Sequence, residues 1–163
     1  MKSTRLAAAG LSLVALVGCS TSPISYFASS PTPQAGLYTC ALRKVNELGY
    51  TVTNTNREAG FITAEHQTSS GFGEALTGRK YHDILTISIF DEASGASRRI
   101  RVTAAQTQQT AVLFGRASET GIAPTDKAKA DANAILSECA PGGKISQQSS
   151  ARQYTTEASG AAI

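Results

Sequence analysis

The segment ILTISIFDEASGASRRIRVTA, residues 84–104, decides the fold. Its first part turns Leu85, Ile87 and Ile89 one way and Thr86, Ser88 and Phe90 the other. Its last part turns Ile100, Val102 and Ala104 one way and Arg99, Arg101 and Thr103 the other. Alternation with a period of two is the pattern of a strand with one buried face. The connection DEASGAS, residues 91–97, is rich in turn formers, so the two strands form a hairpin. Short connections pair strands antiparallel, and an antiparallel sheet commonly keeps one face wet.

Upstream of this hairpin, Tyr50, Val52 and Asn54 alternate with Thr51, Thr53 and Thr55, and Ile62 and Ala64 alternate with Phe61, Thr63 and Glu65. These are two further short strands around a polar turn. Residues 35–48 place Leu37, Cys40, Ala41, Val45 and Leu48 at helical spacing, and Gly49 stands where a helix favours a glycine stop. A second helix runs from about Thr125 to Cys139, opened by APTD and closed by APGG, with Ala128, Ala132, Ile135, Leu136 and Cys139 on one stripe. The expected architecture is a single α+β domain, residues 35–141. It has about four antiparallel strands and two helices packed on one face, in the order α-β-β-β-β-α. The segment TAVLFGRASETGI, residues 110–122, fits either a short strand or an apolar plug under a loop. Residues 67–82 read as a long loop.

The two ends read differently. MKSTR carries two positive charges, and Leu6 to Val17 is apolar apart from Gly10 and Ser12, the layout of a secretory leader. The run is too short to span a bilayer, which takes about 20 residues. At its end, Leu16-Val17-Gly18-Cys19 resembles the lipobox of bacterial lipoprotein precursors, a resemblance confined to residues 1–20. It implies that residues 1–18 are removed as a signal peptide and that Cys19 becomes the lipid-bearing first residue. It further implies palmitate on that residue, attachment to a membrane and a place in the cell envelope. Several acyl chains are needed for firm anchoring, since each buried methylene contributes only about 0.8 kcal/mol. The other reading is an ordinary signal peptide with a chance cysteine. Ser20, in place of an aspartate, points to the periplasmic face of the outer membrane rather than to the inner membrane.

Residues 20–34, STSPISYFASSPTPQ, read as a flexible tether following Cys19, and residues 142–163 read as a disordered tail without apolar period. The whole chain holds 15 basic and 12 acidic residues; loss of Lys2 and Arg5 with the leader leaves 13 against 12. That balance removes the basic signature expected of a nucleic-acid binder. With Cys19 acylated, Cys40 and Cys139 remain, each on the buried stripe of its helix, an even pair in an oxidising compartment. They are expected to form a disulfide, for which the chain-entropy model gives about 4–5 kcal/mol; the other reading is two buried free thiols.

Catalytic chemistry is hard to assemble from this chain. His66 and His82 are its only histidines, next to Glu65 and Asp83, and strand alternation turns Glu65 and His66 to opposite faces. There is no G-x-S-x-G elbow, and GFGEALTG, residues 71–78, lacks the Lys-Ser/Thr of a phosphate loop. No enzyme, metal site or cofactor is expected. The wet face of the sheet is a better lead: Phe61 and Phe90 beside Arg99 and Arg101, with Phe72 on the long loop, suit a protein interface or contact with an anionic envelope polymer. The expected function is therefore a membrane-anchored envelope lipoprotein acting as an interaction or assembly accessory. Its partners would be the membrane, through the N-terminal lipid, and an envelope protein or cell-wall polymer, with no nucleic acid. The alternative is a binding module for a small apolar or lipidic ligand held between helices and sheet.

Overall fold

The computed structural model describes residues 23–69, 71–92, 95, 97–110 and 118–149. Cys19 and the leader lie outside the described residues, as does the side chain of Phe72. In chain order the elements are β1 (Ile24–Ser30), α1 (Gln34–Glu47), β2 (Thr51–Asn56), β3 (Phe61–Gln67), α2 (Gly71–Thr77), β4 (Arg79–Asp91), β5 (Arg98–Thr110), β6 (Ser118–Ile122), α3 (Asp126–Cys139) and β7 (Ser146–Ser149). The strands form one antiparallel sheet in the order β2-β3-β4-β5-β1-β7, with β6 also on β5.

The expectation of about four strands and two helices in the order α-β-β-β-β-α is thereby corrected to seven strands and three helices among the described residues. The hairpin of residues 84–104 is present and longer, pairing from Arg79 opposite Thr110 to Asp91 opposite Arg98. Its extra length is polar, and cross-strand amide bonds form whatever the side chains are. The largest correction concerns residues 24–30, expected as tether. They form β1, inside the sheet between β5 and β7. Tyr26, Ala28 and Ser30 face the core while Ser25, Phe27 and Ser29 face out, so a period of two is present, with an aromatic residue on each face among serines and an alanine. Likewise SQQS, from the expected tail, is β7 on the free side of β1. Part of residues 67–82 is α2, and Ser118–Ile122 of the unassigned segment is β6, lying beyond the start of β1 on the same edge of β5.

α1 and α3 cover one face. Their apolar stripes, Leu37, Ala41 and Val45 on α1 and Ala132, Ile135 and Leu136 on α3, meet Ile62, Leu85, Ile87, Ile100 and Val102 of the sheet in one core. Gly49 ends α1 with φ +82°, and Tyr50 N–H returns to Val45 O, closing the helix in the left-handed conformation glycine tolerates. At the other end of the molecule Gly60 is needed for close approach. Its carbonyl accepts from Ile89 N–H, and a Cβ there would stand 2.7 Å from Ile89 O. α3 starts at Thr125, whose hydroxyl accepts from Ala128 N–H.

Cys40 of α1 and Cys139 of α3 have their Sγ atoms at disulfide distance, 2.10 Å, with Cα atoms 5.7 Å apart. One turn away the helices are also tied by Glu138, which takes Arg43 at 2.9 Å and Lys44 at 2.7 Å. Among the described residues no helix is long and apolar enough to cross a membrane.

Candidate interaction face

The sheet face that α1 and α3 leave open is ordered in cross-strand rows. In one row Phe27 of β1 stands opposite Arg101 of β5, Arg101 opposite Ser88 of β4, and Ser88 opposite Phe61 of β3. Two residues along, Ser29, Arg99 and Phe90 form a second row. On the other side Ser25, Thr103, Thr86 and Thr63 line up, with the Ser25 and Thr103 hydroxyls 2.8 Å apart. At the margin a bulge between Val52 and Asn54 breaks the expected alternation, so Asn54, not Thr53, continues the hydroxyl row.

Thus four of the five expected surface residues, Phe61, Phe90, Arg99 and Arg101, share one face and surround Ser88. Phe90 is 40 % exposed and Phe61 half-buried. The two arginines differ electrostatically. Arg99 is held by Glu92 at 3.0 Å, and Glu92 also accepts from Ser29 and Ser97. Those donors, the Ser29 hydroxyl foremost, hold the Glu92 carboxyl below the usual glutamate range. Arg101 is exposed and has no ion pair among the described residues. It is therefore available to an incoming anion, and its neighbour across the strand is an aromatic ring.

Two members of this face were not found from the sequence, because their segments read as unfolded. Phe27 belongs to β1. Lys144 precedes β7, is exposed, and likewise has no ion pair among the described residues. A groove of about 470 Å³ opens between β1 and β7, with Phe27, Arg99, Lys144, Gln147 and Gln148 among its walls. The Ser25-Phe27-Ser29 alternation was the available signal.

The histidines lie apart in the sheet. His82 pairs with Gln67 and His66 with Asp83, one step along the same strands and so on the opposite face. On the inner face lies a polar cluster that sequence reasoning did not find. Asp83 is fully buried and its Oδ2 accepts from the Thr125 hydroxyl at 2.5 Å. Tyr50 donates its hydroxyl to Asp131 Oδ2 at 3.0 Å, Lys127 donates to the same oxygen at 2.5 Å, and its ammonium sits 5.0 Å from the centre of the Tyr50 ring. Burial, and then the bond to Asp131, push the Tyr50 phenol far above its ordinary value, so it remains a donor. The Tyr50 ring packs at 5.3 Å on that of His66. An aspartate at position 131, inside the Ala128–Ala132–Ile135 stripe, was the signal for such a cluster. Among the described residues no three His, Cys, Asp or Glu side chains gather as metal ligands. No protein-family model matches the chain, and no curated protein matches it in sequence.

Proposed function

We propose that this chain is a membrane-anchored bacterial envelope lipoprotein, non-enzymatic, which serves as an interaction or assembly accessory. In this reading Cys19 carries the lipid, the Cys40–Cys139 pair is oxidised in an exported compartment, and the open sheet face meets the partner. The observation that carries it is the row Phe27–Arg101–Ser88–Phe61, in which an arginine without an ion pair among the described residues lies between two aromatic side chains on the face opposite α1 and α3. Aromatic and arginine side chains are the ones enriched at interface centres.

The test has two independent arms. Cys19→Ser is expected to remove acylation, read by intact mass, and to release the chain from the membrane fraction. Crosslinking in living cells is expected to capture a defined partner, and the triple variant Phe61→Ala, Phe90→Ala, Arg101→Ala to lose it while keeping its thermal midpoint. Capture that survives the triple substitution would remove the open face from this role.

A further inference from the structure

We propose that the groove between β1 and β7 is a binding subsite for a carboxylate-bearing saccharide, and that the saccharide chain continues across the open face over Arg101 towards Phe61. This names the ligand class for the interaction face proposed above, and rests on that reading only for where the ligand is met.

Saccharides are recognised by a combination of groups. Their C–H faces pack on aromatic rings, and their hydroxyls need partners that both donate and accept. The groove supplies both: Phe27 as the ring, the Gln148 amide as donor and acceptor, the Ser146 hydroxyl, and the Ser29 hydroxyl, which can accept while it donates to Glu92. At about 470 Å³ it falls in the size range of small-ligand sites, far larger than a lone inorganic anion needs. Its charge then selects within the class. Among the described residues the charged groups lining the groove are Arg99 and Lys144, with no carboxylate; Glu92 engages two of the lining side chains, Arg99 and Ser29, so the unengaged charge is that of Lys144. A neutral saccharide would leave the Lys144 ammonium unused, whereas an acidic one is attracted to it across an exposed surface, an attraction that salt screens.

The continuation follows from the register. Phe27, Arg101, Ser88 and Phe61 occupy four adjacent strands, so the track from the groove to Phe61 is three strand spacings, about 14 Å. Ring, cation, hydroxyl and ring follow one another along it. That succession fits a linear chain lying across the strands better than a monosaccharide held in a closed pocket.

Tetragalacturonate is the probe, titrated by calorimetry into the mature chain in detergent micelles, with neutral cellotetraose and tetraglutamate as comparisons. Tetragalacturonate is expected to bind most tightly, and to weaken as salt is raised. Lys144→Glu and Arg101→Glu are each expected to weaken it by a few-fold to about tenfold at low salt, as reversal of an exposed charge facing an anionic partner does. Phe27→Leu, which keeps apolar bulk in β1, is expected to weaken both saccharides. Cellotetraose bound as tightly as tetragalacturonate, tetraglutamate bound as tightly, or no saccharide binding would each overturn the proposal. Lys144→Glu sits at an exposed position outside the strands and keeps the test informative should the strand variants misfold. The intact mass of the same sample reports Cys19 acylation. An unlipidated chain that binds the acidic saccharide would sink the anchor and leave the subsite, and a lipidated chain that ignores it would do the reverse.

Discussion

Asp83 is fully buried, and one of its oxygens is held by a hydroxyl that has a second duty. Thr125 donates to Asp83 Oδ2 and accepts from Ala128 N–H, so a single side chain caps α3 and partners one oxygen of a buried carboxylate. Removing it leaves both the cap and the carboxylate oxygen without their partner, a loss of about 2–4 kcal/mol on the usual scale of caps and buried hydrogen bonds. Tyr50→Phe is a milder change, because Asp131 retains Lys127; about 1 kcal/mol is expected. Urea unfolding should therefore rank Thr125→Ala well below Tyr50→Phe in midpoint, and equal midpoints would mean that Asp83 does not depend on Thr125. At this scale the sequence is partly legible. Thr125 is recognisable as a capping candidate from APTD, but its second partner lies 42 residues away on β4 and has no local signature. Lys127 and Asp131 are spaced as a helical ion pair, which by itself does not say that the carboxylate turns inward to a tyrosine.

The elements show where local pattern is informative and where it is silent. α1 and α3 were legible because apolar residues at helical spacing mark both their existence and their buried side, and Cys40 and Cys139 follow from that. β1 and β7 were not, since the Tyr26 and Ala28 that ISYFASS buries stand among serines and SQQS has no apolar residue, and both gain their place through ladder bonds to a neighbour supplied by distant sequence. The helices are joined by charge as well as by sulfur. Glu138 lies between Lys44 and Arg43, and these bonds, that to Lys44 first, hold its carboxyl below the ordinary 4.5. A carboxyl whose pKa is depressed by folding contributes stability above its unfolded value and loses it as pH falls through the folded one. The thermal midpoint of the native chain should fall as pH drops from 5 towards 3, and Glu138→Gln should flatten that fall while lowering the midpoint at pH 7. An equally steep acid fall in Glu138→Gln would assign it to the other depressed carboxyls, Glu74, Glu92 and Asp126.

On the scale of the molecule, the strand found at residues 24–30 changes how the domain would stand at a membrane under the proposed anchoring through Cys19. With Cys19 as the lipid-bearing residue, the connection to the sheet shrinks from residues 20–34 to Ser20–Pro23. Cys19 to Ile24 spans at most about 17 Å. Such a link cannot lift the domain far from the bilayer, nor let it tumble freely. It also has a direction. β1 runs antiparallel to β5 and begins opposite Ala104, so the chain before Ile24 leaves towards the end where β5 reaches Thr110, β4 begins at Arg79 and α2 lies. β6 occupies that lane of β5, from Gln106 opposite Ile122 to Thr110 opposite Ser118. The same end carries Leu76, a large apolar side chain 72 % exposed. The α2 end should therefore face the lipid, with the β4–β5 turn away from it and the open sheet face standing sideways, accessible to a polymer or protein approaching along the membrane. Paramagnetic lipid in nanodiscs holding the acylated chain tests this through two glycine amides, Gly78 between α2 and β4 and Gly95 in the β4–β5 connection. The Gly78 resonance is expected to broaden strongly and the Gly95 resonance little. Broadening of Gly95 alone would invert the orientation, and equal sharp lines at both would show a domain held well clear of the surface, which a link of four residues does not permit.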